Sequence, residues 1–63
     1  MSYETDNPYA IVDEESDPPW VVVRYDTRAK AEKYLAYLAK HGGTYLREKV
    51  ERGGYGIDGP ESG

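Results

Sequence analysis

Residues Trp20-Val21-Val22-Val23-Arg24-Tyr25 form a strand-like run that is apolar on both sides. In an extended chain Trp20, Val22 and Arg24 point one way, and Val21, Val23 and Tyr25 the other. A strand greasy on both flanks is usually covered on both flanks. The residues that follow read as a helix, and one helix shelters only one side. The second side therefore needs the N-terminal segment, the C-terminal segment or another molecule.

The helix signal runs from Asp26 to His41. Asp26 or Thr27 can accept backbone N–H bonds at the N-cap. Ala31, Tyr34, Leu35 and Leu38 recur at helical spacing and form one apolar stripe. Glu32, Lys33, Ala36 and Lys40 fall opposite, and Tyr37 falls outside the stripe near Lys33, Lys40 and His41. Lys40 and His41 suit the negative end of the helix dipole. Gly42 is placed to take the left-handed conformation that ends the helix. Thr44 to Val50 then alternate, with Leu46 and Val50 inward and Tyr45, Arg47, Lys49 and Glu51 outward, which predicts a second strand.

The expected fold class is α+β, a small two-layer sandwich. One helix packs on a two- or three-stranded sheet around a strand-helix-strand core at residues 20–50. Such a connection makes its two strands parallel. A third strand is expected from Tyr9 to Val12, from Tyr55 to Ile57 or from a second copy. The division expected is an acidic flexible arm and proline linker at 1–19 with a short strand available at 9–12, a domain at 20–52 and a glycine-rich flexible tail at 53–63.

At 63 residues the chain buries only about 60% of its unfolded surface. It has no cysteine, so neither a disulfide nor a cysteine metal site is available. Small unstapled chains often lean on a partner or on self-association, so a homodimer is one expectation. Seven tyrosines, one tryptophan and no phenylalanine favour half-buried surfaces and interfaces. No apolar window approaches the ~20 residues of a membrane span. The acidic start, Met1 to Asp6, lacks a signal-peptide pattern, so the expected location is cytoplasmic.

The net charge of −4 is unevenly spread. Residues 1–19 carry six acids and no base, whereas residues 20–52 carry eight bases and four acids. The acidic arm is either a solvated leader, a flap over the basic core or a steering element for a basic partner.

Chemistry-bearing motifs are sparse. Gly54-Tyr55-Gly56-Ile57-Asp58-Gly59 matches G-x-G-x-x-G, but too little chain follows to form the helix that would hold a pyrophosphate. Asn7-Pro8-Tyr9 resembles an Asn-Pro-x-Tyr motif without its spacer and reads as a turn. The acids at 13–17 lack the alternation and the glycine of a calcium loop. His41 with Tyr37 and Lys40 reads as a helix terminus rather than an acid/base set. Ser2, Ser16 and Ser62 fall in linkers or tails, where no base is positioned. No catalytic residue, cofactor or metal site is expected, and the chain reads as a non-enzyme.

The run Val21-Val22-Val23-Arg24-Tyr25-Asp26-Thr27-Arg28-Ala29-Lys30-Ala31-Glu32 resembles one half of a SPOR-type peptidoglycan-binding domain. In that family a strand turns into a helix carrying an Ala-Glu pair. The resemblance covers about half the chain, without the family's second repeat or its glutamine-bearing strand. It implies a similar local topology and assigns no sugar-binding residue here.

The function expected is therefore a small acidic protein–protein interaction module: a regulator, inhibitor or accessory subunit. Trp20, Val22, Tyr37 and Tyr45 are the expected contacts. Asp13, Glu14, Glu15 and Asp17 would steer the chain toward a basic protein surface. The alternative is a nucleic-acid-binding module that uses Arg24, Arg47, Lys49 and Tyr45. The acidic balance of the chain opposes it, and no membrane partner is expected.

Overall fold

The computed structural model describes residues 6–60. The disorder expected of Met1 to Thr5 and of Glu61 to Gly63, and the readings of Ser2 and Ser62, lie outside the described residues. Within them the order is β1 (Tyr9–Asp13), β2 (Trp20–Tyr25), α1 (Arg28–His41), α2 (Gly43–Glu51) and β3 (Tyr55–Asp58). The fold is α+β, two helices on a three-stranded antiparallel sheet of order β2-β1-β3.

The expected strand at Thr44 to Val50 is corrected: these residues are helical, in α2. The strand-helix-strand core at 20–50 is thus a strand followed by two helices, and among the described residues the sheet has no parallel pair. The helix stacks Leu46, Lys49 and Val50 at i, i+3 and i+4, a set that strand alternation would have split between two faces. Lys49 is consequently buried rather than outward-facing.

The 1–19 segment holds one of the expected third-strand candidates, Tyr9 to Val12. Tyr9–Asp13 is the central strand, hydrogen-bonded on both sides. It pairs with β2 through Tyr9↔Tyr25, Ala10↔Arg24 and Ile11↔Val23, and with β3 through Ile11↔Ile57 and Asp13↔Tyr55. Residues 14–19 are therefore a hairpin connection, with a cis Asp17–Pro18 peptide. Tyr55–Asp58 supplies the third strand, at the other expected candidate, Tyr55 to Ile57.

The register shifts between Ile11 and Val12, where β2 carries Val22 as an extra residue. Such a bulge resets the alternation. Opposed residues share a face. Trp20, Val23 and Tyr25 therefore lie on the side of Ile11 and Asp13, and Val21 and Arg24 on the side of Val12 and Ala10. Both helices cover the first side: Tyr34 of α1 meets Tyr25, with ring centroids 6.0 Å apart, and Lys49 of α2 reaches Asp13.

The core is small. Among the described residues Ala10, Ile11 and Ala31 are its buried hydrophobic residues, and Ile11 is the large side chain that is fully enclosed. The α1 stripe behaves as its spacing predicts: Ala31 is buried, and Tyr34, Leu35 and Leu38 are half-buried. The Thr27 hydroxyl accepts from the Lys30 N–H at 3.2 Å, so Thr27 is the N-cap.

Two adjacent glycines turn α1 into α2, and their roles differ from expectation. Gly42 keeps a right-handed φ of −83° and donates to the Leu38 carbonyl. A Cβ on Gly42 would stand 2.6 Å from the Leu38 carbonyl oxygen and 2.8 Å from the Leu46 Cβ. The left-handed residue is Gly43, at φ +84° with open space around it. Gly43→Ala should therefore cost about 1–2 kcal/mol through backbone conformation alone. Chemical denaturation should show a lower midpoint with an unchanged slope.

Candidate interaction surface

The sheet brings an unpaired edge and exposed apolar groups together. β2 is an edge strand, and no loop backbone bonds to Trp20–Tyr25 among the described residues. Trp20 is 56% exposed and Val21 39%. The Trp20 indole N–H donates to the Ser16 hydroxyl at 2.9 Å, which fixes the ring orientation while leaving much of it in solvent. Val22, the bulged residue, is half-buried. Neither flank of β2 is fully sheltered by the described chain, as its two-sided apolar sequence anticipates.

Tyr37 and Tyr45 are 60% and 65% exposed. Tyr37 lies on the outer side of α1, its ring 4.9 Å from the His41 ring. Tyr45 is in the first turn of α2 rather than on a sheet face beside Trp20 and Val22. The expected contacts thus divide between the β2 edge and the helix layer. Val21 is an exposed residue that strand alternation did not single out; the bulge places it with Val12 on the helix-free side.

The acidic segment divides too. Asp13 is buried, its carboxylate accepting from Lys49 Nζ at 3.0 Å. Glu15 takes a two-pronged grip from Arg52, at 2.6 and 2.8 Å. Forked Arg–carboxylate pairs are among the stronger charge-assisted contacts. These bonds clamp the start of the β1–β2 connection to α2 and to the residue after it. Bonding to Lys49 holds the Asp13 carboxyl below its ordinary range, and bonding to Arg52 does the same for Glu15. Asp13 raises the Lys49 ammonium in turn. Glu14 and Asp17 remain exposed.

Of the nucleic-acid set, Lys49 is held by Asp13 and stands 4.7 Å from the Tyr55 ring centre, and Arg24 donates to the Asn7 carbonyl at 3.2 Å. Tyr45 and Arg47 are exposed on α2. Among the described residues there is no cavity and no group of three or more side chains able to hold a metal ion. No helix among them is long and apolar enough to cross a membrane.

The chain matches no protein-family model, no curated protein and no solved structure. No match supports the SPOR resemblance, and the residues after α1 form a second helix rather than a strand.

Proposed function

We propose that this chain is a small, acidic, non-enzymatic protein–protein interaction module, acting as a regulator, inhibitor or accessory subunit of a larger protein. The observation that carries the reading is the exposure of Trp20, Val21, Tyr37 and Tyr45 on a domain with so few buried apolar residues. Exposed Trp and Tyr are the side chains that most often anchor interfaces. An apolar strand edge adds a second means of attachment. Glu14 and Asp17 are the acids left to steer the chain toward a basic surface, affecting association rate more than affinity. A cytoplasmic setting belongs to the same reading, since small secreted domains are commonly disulfide-rich.

Trp20→Ala and Tyr45→Ala test it. Both side chains are exposed, so either change should alter stability by no more than about 0.5 kcal/mol. Capture of a host partner by tagged protein should fall at least about tenfold in each, as for interface anchors. Unchanged capture in both variants overturns the reading. Labelled single-stranded oligonucleotides, titrated at low salt, separate it from the nucleic-acid alternative.

A further inference from the structure

Among the described residues the β2 edge is both apolar and open, and its sequence is compatible with itself. We infer that the occupant of this edge is a second copy of the chain, joined by two-fold antiparallel pairing of β2 with β2 centred between Val22 and Val23. The inference rests on the interaction reading above and narrows the partner at that surface.

Three observations carry it. The first is the main chain of Trp20–Tyr25, which no described residue pairs on the outer side of the sheet. The second is the register. Centred pairing opposes Trp20 to Tyr25 of the partner copy, Val21 to Arg24, and Val22 to Val23. The bulge places Trp20 with Tyr25 on the helix side, and Val21 with Arg24 on the helix-free side. Opposed residues must share a face, and the outer pairs meet that condition because β2 is bulged. Shifting the centre by one residue opposes Trp20 to Arg24, or Val21 to Tyr25, from different faces. Centring on Arg24 would set two guanidinium groups against each other. The third observation is charge. Arg24 is the one charged residue in β2, and in the centred register it meets a valine. Pairing would join two three-stranded sheets into one of six, with all four helices on one side, and would give the thin core of each copy additional apolar contact.

The register makes Val21 a charge probe. Val21→Lys sets a lysine opposite Arg24 twice in the pair, and Val21→Glu sets a carboxylate there twice. Like charges directly opposed weaken strand pairing and opposite charges strengthen it. Both substitutions replace an already exposed side chain, and circular dichroism checks that each variant folds. Sedimentation velocity over a concentration series, up to millimolar, reads the dissociation constant. The wild type is expected to dimerise. Val21→Lys is expected to dissociate at least about tenfold more readily than Val21→Glu, two opposed pairs contributing. A wild type that stays monomeric at millimolar concentration overturns the inference, and so does a dimer equally affected by lysine and glutamate. Either failure leaves the interaction reading standing if Trp20→Ala and Tyr45→Ala still lose the host partner. That reading falls separately if they do not.

Discussion

Ile11→Ala is expected to abolish the cooperative thermal transition of this protein. Ile11 is fully enclosed at the centre of the central strand, paired with Val23 on one side and Ile57 on the other. Truncating a buried isoleucine to alanine costs about 2–5 kcal/mol, the lost transfer energy plus the cavity left behind. Native domains hold roughly 0.05–0.15 kcal/mol per residue, so about 3–9 kcal/mol is available to a chain of this length. With a core this small, no neighbouring apolar layer can collapse to fill the gap. Ile11→Val removes one methylene, costs about 0.5–1.5 kcal/mol and should keep a cooperative transition. Circular dichroism melts of the two variants make the comparison. An alanine variant melting within a degree or two of the parent would show that the core lies elsewhere.

Asp13→Asn is expected to destabilise the chain more than the double change Asp13→Leu with Lys49→Leu. The Asp13 and Lys49 side chains are only 12% and 8% exposed, and their charged atoms meet at 3.0 Å. Removing the carboxylate strands an ammonium beside the Tyr55 ring. Replacing both groups with apolar ones strands nothing, and such double changes are often neutral. The same pair shapes the pH response. The carboxyls of Asp13 and Glu15 are held below their ordinary values of 3.8 and 4.5. A depressed carboxyl contributes stability that is complete above its ordinary value and is lost as the pH falls through the folded one. Asp26, held low by Lys30, contributes to the same acid limb. Lys49 is raised above its ordinary 10.5, so its contribution is complete below 10.5 and drains as the pH rises through the folded value. Melting temperature should therefore be flat between about pH 5 and 10 and fall outside that window. The Asp13/Lys49 double change should flatten the alkaline side and soften the acid one. Equal melting temperatures for the single and double variants would argue against a buried pair that needs both members.

The features legible in the sequence are those with local causes. Trp20–Tyr25 is a strand because consecutive valines favour extended backbone and pack well on a pleated surface. The first helix follows from Thr27 as its cap and from a stripe recurring every three to four residues. The exposure of Trp20 and Tyr37 was readable from their places on an uncovered flank and outside the apolar stripe, whereas Tyr45 is exposed on a helix and not through the strand alternation that suggested it. Tyr9–Asp13 and Tyr55–Asp58 were readable only as candidate strands, being too short for alternation to separate a central strand from a tail.

By itself the sequence determined an α+β domain with too little apolar mass to cover its valine-rich strand, because composition and periodicity act within a few residues of one another. The tertiary structure decided Thr44 to Val50. Leu46 and Val50 fit both a period of two and a period near four, and nothing local separates these. Lys49 separates them: as a helix, the segment swings that lysine inward to Asp13, which lies 36 positions earlier in the chain. Contacts across such a distance leave no periodic trace in the sequence, so the second helix, the central place of β1 and the division of the acidic segment exist only once the chain has closed.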